Sequence, residues 1–582
     1  MEGKQAMTPT SSRRRFLEGL STSAALVAAG RASGVAEAAQ SAATPQGQTA
    51  GGVLKWGSED EGYISPNFPW TLAGGINHTQ LVKMSHEGPF FRNHALELEP
   101  NLVETYEYDE DYKGFTLTVK KGITWSDGHP FTANDVYGTV LLVHPDVTIK
   151  GVSSALAFLK GGREYFVLGT TLEPPPGLKL LDEYTIRFEL EEPWSNAVWE
   201  MLGGQQTLPW HIYQPLFENP ETRRALSEYE NPIFLEPKMQ VGTGPFIYER
   251  GEKDRYLRYT KNPNFHGPEP QLDAVEFIKF GSLDATVIAL ERGDIDVAAI
   301  REASYLASVQ KMEDVAIYET LDYYLRAFRY NWNKPYLNDV RVYQAIDMAI
   351  DRETLCEAVE GGFCVAWRQY GSGTEGFDQN PYNPEKAREL LAEANWNPDI
   401  DLEIATDYDN DVVVRQLLPG IAGMLGQVGI KAHSRSYQGP ALEEVVARGE
   451  IDLWYDGSYA TAFEPGQFDS PIYADAAGNE SEEPGPGREL KTHRQTAFGF
   501  HPEWLQKLLQ EYRMSPPERR EQIRVEVEAR LGEEGSSWMT LARYKKFLAV
   551  HKNVHGMDNP DTILWQGNVF VNKSMAWTWS KE

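Results

Sequence analysis

Apolar residues recur with period two in short runs bounded by turn residues, the signature of half-buried strands. Val53 to Trp56, Phe115 to Val119, Thr185 to Leu190, Tyr256 to Tyr259 and Ala274 to Ile278 each read this way. Other segments carry a helical period. Ser282 opens a helix through Glu291 and Gly293 closes it, a Ser cap and a Gly stop; Asp294 to Ala298 is then expected to be a strand. Asp339 to Ile350 and Pro384 to Ala394 predict helices, with Ala387, Leu390, Leu391 and Ala394 on one face of the second. Asp401 to Ala405 predicts a strand, Val412 to Val428 a helix with a kink at Pro419, and Gly429 to Ala432 a strand start. Strand alternating with helix makes this part α/β. Pro193, Pro209 and Pro215 are expected to break up the segment that carries them. Pro517 to Leu531 reads as a charged helix on a solvated face, and Glu480 to Gly487 as a surface loop.

Composition narrows the function classes. The 582 residues include 15 Trp, 28 Tyr and 24 Phe, enough to fill large cores and to exclude a disordered polymer. The net charge of -30 repels phosphate backbones and anionic lipid, so nucleic-acid partners are not expected. Two cysteines exclude both a disulfide scaffold and a thiolate metal cluster.

The N-terminus reads as an address. The run SRRRFL (Ser12 to Leu17) places Arg13 and Arg14 ahead of a weakly apolar stretch from Leu20 to Gly30. Ala36-Glu37-Ala38 follows as an A-x-A cleavage site. This resembles a twin-arginine export signal over residues 1–38, with a linker over 39–52. The expected location is periplasmic or extracellular. No later segment supplies the ~20 uncharged apolar residues a membrane span requires.

Motifs of catalysis are missing. The sequence contains no H-E-x-x-H, no P-loop and no G-x-S-x-G elbow, and Gly242-Thr243-Gly244 lacks the third glycine of a dinucleotide loop. His551 and His555 are four apart but flanked by Asn553, Gly556 and Pro560, which reads as loop rather than a metal site. No catalytic residue, metal ligand or cofactor is assigned. Cys356 and Cys364, eight apart around Gly361-Gly362, either form a local disulfide or stay as two buried thiols. Aromatic clusters are the positive signal: Trp454, Tyr455 and Tyr459 around Gly457, and Tyr323, Tyr324, Tyr330 and Trp332. Such rings suit gripping small ligands, although core packing is their commoner use.

Several segments, in order, resemble one family. They are Glu99 to Glu104 (EPNLVE), Phe115 to Val136 (FTLTVKKGITWSDGHPFTANDV), Val241 to Phe246 (VGTGPF), Asn262 to Val275 (NPNFHGPEPQLDAV), Gly293 to Asp296 (GDID), Asn331 to Ile350 with Asp351-Arg352, and Asn383 to Ala394. Together they resemble the family 5 extracellular solute-binding proteins of ABC importers, the dipeptide-, oligopeptide- and nickel-binding receptors. The resemblance implies an α/β, two-lobed periplasmic-binding-protein-like fold (type II, cluster C) with an extra small domain. Lobe I would take residues 51–87, 239–321 and 551–582, the small domain 88–238, and lobe II 322–550. It also implies a monomer that closes its lobes on a small ligand and hands it to a membrane permease, with no covalent chemistry.

The resemblance also bears on the ligand. Peptide-binding members carry an aspartate for the ligand's α-amino group in a segment D-x-x-x-x-G-W-x-x-D-Y-x-[DE]-P. Here Asp452 to Pro465 reads DLWYDGSYATAFEP, which puts Thr461 at the amine-pairing position and Ser458 at the Trp position. A hydroxyl does not offset a buried ammonium as a carboxylate does. Both an oligosaccharide and a peptide therefore stay open as the ligand, with opines and metal chelates behind them. The ligand-facing residues expected are Trp454, Tyr455, Asp456, Ser458, Tyr459 and Thr461, with Asn331 and Trp332. Two other classes remain: an exported glycoside-active enzyme with paired carboxylates, and a sensor that feeds a signalling receptor.

Overall fold

The protein is described as a computed structural model covering residues 51–58, 84–92, 98–147, 154–203, 205–226, 236–252, 254–300, 302–358, 364–368, 380–407, 412–459, 502–557 and 578–581. The segments read from the sequence as an export signal, as most of the linker and as the loop Glu480 to Gly487 lie outside these residues. Strand β1 (Val53–Ser58) opens the described chain. A small four-stranded sheet follows, of β2 (Val103–Tyr108), β3 (Gly114–Val119), β4 (Leu178–Asp182) and β5 (Thr185–Glu189), in the order β2-β3-β5-β4 and wholly antiparallel. Its inner face buries Phe115, Leu117, Ile186 and Phe188 against helix α1 (Ala133–Leu141) and α2 (Trp210–Glu218). Thr132 starts α1 through a capping box with Asp135. Pro215 lies inside α2 rather than breaking it, because burial of Trp210, Tyr213 and Phe217 outweighs one lost backbone hydrogen bond.

The chain then enters an 11-stranded sheet through β6 (Phe246–Glu252), β7 (Tyr256–Lys261), β8 (Ala274–Lys279) and β9 (Val297–Ile300). Helix α3 (Leu283–Glu291) begins at the predicted Ser282 cap, whose Oγ accepts from the Ala285 amide, and Gly293 follows it with φ of 72°. The strand after it starts at Val297, not Asp294, because Asp296 turns its carboxylate to the Lys55 amide and the Lys581 ammonium.

A long strand that the sequence pattern did not reveal, β10 (Val315–Tyr330), comes next. Helix α4 (Val340–Ala349), helix α5 (Arg352–Ala358) and β11 (Cys364–Ala366) follow it. Then come α6 (Pro384–Glu393), β12 (Asp401–Thr406), α7 (Val412–Gln427), β13 (Lys431–Ser436) and β14 (Leu453–Tyr459). Helices α8 (Glu503–Met514) and α9 (Pro517–Glu534) precede the long strand β15 (Trp538–His551). The sheet order is β13-β12-β14-β10-β15-β9-β1-β8-β7-β6, with β11 also on β15. The two long strands β10 and β15 thus pass through both halves of the sheet.

Two further expectations need correction. Helix α9 is not solvated all round: Ile523, Val527 and Leu531, spaced by four, are buried against α8 and Trp538. His551 and His555 belong to strands rather than a loop; His551 closes β15 with its Nε2 2.8 Å from the Leu290 carbonyl. The two cysteines form a disulfide with Cα atoms 5.3 Å apart. Among the described residues no helix is long and apolar enough to cross a membrane.

The chain segments on either side of the small domain meet by backbone contact. A Cβ on Gly242 would lie 1.8 Å from the Ser85 carbonyl oxygen, and one on Gly244 2.3 Å from that of Met84. Only glycine permits that approach, which gives the GTGP turn its physical meaning.

Candidate functional site

Strand β14 lies between β12 and β10, so both of its edges are hydrogen-bonded, and its two faces pack into two different cores. Its register against β10 pairs Trp454 with Arg329, Tyr455 with Phe328 and Asp456 with Ala327. Alternation sends Trp454 and Asp456 to one face and Leu453 and Tyr455 to the other. Trp454 is fully buried among Ala405, Leu442, Val445, Val446 and Ile451. Tyr455 is fully buried on the opposite face, its ring edge-on to Phe328 at 6.0 Å.

Asp456 is engaged by Arg329, whose Nε donates to its carboxylate at 2.8 Å. Both side chains are buried. On β10, Arg329 is flanked by Trp454 of β14 and Trp538 of β15, and its guanidinium lies 5.0 and 3.9 Å from the two ring centroids. A buried arginine sandwiched between indoles and tied to a carboxylate is a fixed cation, held by stacking and a charge-assisted hydrogen bond. Further along the same strands, Arg326 lies over Tyr544 at 4.8 Å, and Arg543 over Trp367 at 4.6 Å.

Asn331 and Trp332 end this wall. The Asn331 amide donates to the Ile451 carbonyl at 2.6 Å, and its Oδ1 accepts from the Asn333 amide. Trp332 donates from Nε1 to Ser536 at 2.8 Å and stacks on Tyr343. Asp452, the first residue of the aligned segment, accepts from the Tyr336 hydroxyl at 2.5 Å and from the Glu403 amide at 2.9 Å. Burial, reinforced by that bond to Asp452, pushes the Tyr336 phenol well above its ordinary pKa. Ser458 and Tyr459 are in β14, opposite Leu325 and Tyr324 of β10. Thr461 lies outside the described residues.

The structure therefore brings Trp454, Tyr455, Asp456, Ser458 and Tyr459 onto one strand, with Asn331 and Trp332 beside its start. Sequence reasoning missed Arg329, Arg326, Arg543 and Trp538. The signal for Arg326 and Arg329 was their spacing of three inside the otherwise apolar run Tyr324 to Tyr330. On the Tyr455 face a cavity of about 10 Å³ is lined by Arg326, Arg352, Tyr544 and the disulfide. It has room for no more than one water. Among the described residues no group of three or more His, Cys, Asp or Glu is placed to hold a metal.

Comparison with known proteins matches residues 97–480 to the model of the bacterial extracellular solute-binding proteins, family 5. A Brucella ovis protein named for ABC-transporter peptide binding is 26% identical over 396 residues, 66% of this chain and 69% of its own. The dipeptide-binding protein of Escherichia coli K12 is 23% identical over 67% of this chain and 73% of its own. Among solved structures, the ABC transporter substrate-binding protein CtaP of Listeria monocytogenes superposes with a TM-score of 0.70 at 16% identity. That match covers 92% of this chain and all of that one (100%). The oligopeptide-binding protein AppA of Bacillus subtilis, solved with a nonapeptide, gives 0.66 at 17%, over 92% and 100%. At these identities the likeness establishes the fold.

Proposed function

The chain belongs to the bacterial extracellular solute-binding proteins of family 5, and from that membership we propose that it is the exported receptor of an ABC importer for peptides. The family's members are substrate-binding proteins rather than enzymes. The observation that carries the reading is the family match over residues 97–480. The names of the relatives add peptide as the solute class. The oligosaccharide alternative rests on Thr461 standing where a carboxylate is expected.

In this reading the lobes hinge on β10 and β15. Support comes from their ladder, whose register shifts between Leu321 and Leu325 and again between Arg326 and Ala327. Such irregularities bend a ladder and raise its local twist. The first shift falls at the proposed boundary between lobe I (ending at 321) and lobe II (starting at 322). Ligand touching both lobes only in the closed form would favour closure by differential affinity. The site we assign runs along the C-terminal part of β14. Asp456, Ser458, Tyr459 and Thr461 remain its ligand candidates, whereas Trp454, Tyr455, Asn331 and Trp332 are buried in the packing of the lobe. Twin-arginine export, periplasmic delivery to a permease and a monomeric state complete the proposal.

The test is a thermal-shift panel of di-, tri- and oligopeptides, oligosaccharides and metal chelates. A peptide at about 100 times its Kd is expected to add ~2.7 kcal/mol of stability. A shift with oligosaccharides alone would replace the peptide assignment, and a solute recovered chemically altered would overturn the receptor reading.

A further inference from the structure

The small domain touches lobe II at the end of helix α8. Helix α8 is anchored in lobe II, because Leu505, Leu508, Leu509 and Tyr512 pack with Ala327 of β10 and Trp538 of β15. Like any helix it ends with carbonyls that have no partner in the next turn. Two carbonyls at that end take donors from the small domain. The Ser195 amide donates to the Arg513 carbonyl at 2.7 Å, and the Ser195 hydroxyl to the Ser515 carbonyl at 2.7 Å. Ser195 and Ser515 are only 7% and 6% exposed, so both hydrogen bonds are shielded from water.

Arg513 adds a cation to the contact. Its guanidinium lies 4.8 Å from the centroid of Phe158 and 5.7 Å from that of Trp194. Those rings pack edge to face at 4.9 Å. The small domain holds this receptor surface rigidly, since the Trp194 amide donates to the Tyr112 carbonyl and the Glu191 amide to that of Phe158. The chain enters and leaves the small domain through the segments that dock on lobe I, with Ser126 and Gly242 exchanging hydrogen bonds there. The small domain therefore travels with lobe I, and Arg513 and Ser515 travel with lobe II.

We infer that Arg513, Ser515, Ser195, Trp194 and Phe158 form a clasp between the small domain and lobe II, that the arrangement in which it is made is the closed one, and that it stabilises this form independently of the solute. The inference rests on the two-lobed receptor reading. A clasp of this kind sets the fraction of closed protein before any ligand arrives. Every ligand of the site would feel it by the same factor, because apparent affinity scales with the competent fraction. The contacts suit such a role, being few, exchangeable and individually weak, so that they form and break with a rigid-body rotation.

The test uses the full chain with no ligand added. Arg513→Ala is compared with wild type by small-angle X-ray scattering and by amide hydrogen exchange over residues 190–200 and 508–516. Losing the stack is expected to enlarge the radius of gyration and to speed exchange of the Ser195 amide about tenfold. Ser195→Ala, which removes one hydroxyl, serves if the first variant fails to fold, with a smaller change in the same direction. An unchanged radius in a folded variant overturns the clasp, whether or not local exchange quickens. The receptor reading is judged separately: if a solute from the panel still compacts the wild type, that reading survives the loss, and if none does, both fall.

Discussion

The small domain and lobe II bury polar groups by different means. In the small domain, Phe115 stacks on Phe188 at 4.6 Å within a broad aromatic core. Its buried carboxylate, Asp135, accepts from two backbone amides, those of Thr132 and Trp210, and burial raises its pKa. Lobe II instead buries carboxylates against arginines: Asp456 with Arg329, Asp347 with Arg352, and Glu528 with Arg524. Those amide donors belong to the starts of two helices, α1 and α2, which Asp135 ties together. Arginines reach across elements, as when Arg352 bonds Asp347 of α4 and the Thr540 carbonyl of β15. The comparison teaches that the small domain is a packed block, whereas lobe II is registered by paired charges that cannot lose one partner cheaply.

The largest effect should come from breaking such a pair. Arg352→Ala is expected to lower stability by about 3–5 kcal/mol in urea unfolding, because Asp347 is left buried without its cation. Arg329→Leu should cost a similar ~3–5 kcal/mol, most of it recovered in the double variant Arg329→Leu with Asp456→Leu. If the single variant cost less than ~1 kcal/mol, the contrast between the two regions would fail. Replacing Cys356 and Cys364 by Ser, which opens a short loop of lobe II, should cost roughly 2–3 kcal/mol by the same measurement. In the small domain, Thr132→Ala removes the cap of α1 and should cost about 0.5–2 kcal/mol.

The smallest effect is set by pH. Hydrogen bonds from Arg187 hold Asp109 below the ordinary carboxylate range. A depressed folded pKa means that stabilisation is present above the unfolded value of about 4 and fades as pH falls through the folded value. The melting-temperature difference between wild type and Asp109→Asn should therefore be seen at pH 7 and shrink below about pH 4. A difference that grew on acidification would contradict this assignment.

Much of the fold was legible because its signals are local. Ser282, Asp339 and Asn383 cap helices where the chain pattern placed them, and each side chain accepts a backbone amide. Strand β10 was not legible: Ala327 to Tyr330 are buried without alternation, which leaves no period-two pattern to read. The buried stripe of α9 was masked by its charge. Two of its charged residues, Arg524 and Glu528, pair inside the lobe rather than in solvent. For the site, the sequence located the strand carrying Trp454 to Tyr459. It did not reveal that β14 is covered on both faces, which is why Trp454 and Tyr455, neighbours in sequence, enter two different cores. Arg329 escaped notice because a charged residue in a strand ordinarily marks the solvent face, and only the positions of Trp454 and Trp538 show otherwise.

The most direct test is small-angle scattering of the wild-type chain, titrated with a peptide that raises its melting temperature, with the peptide's mass checked afterwards. The account predicts that the radius of gyration falls to a plateau at saturation and that the peptide comes off with its mass unchanged. A radius that stays constant at saturation, or a peptide recovered cleaved or modified, would contradict it.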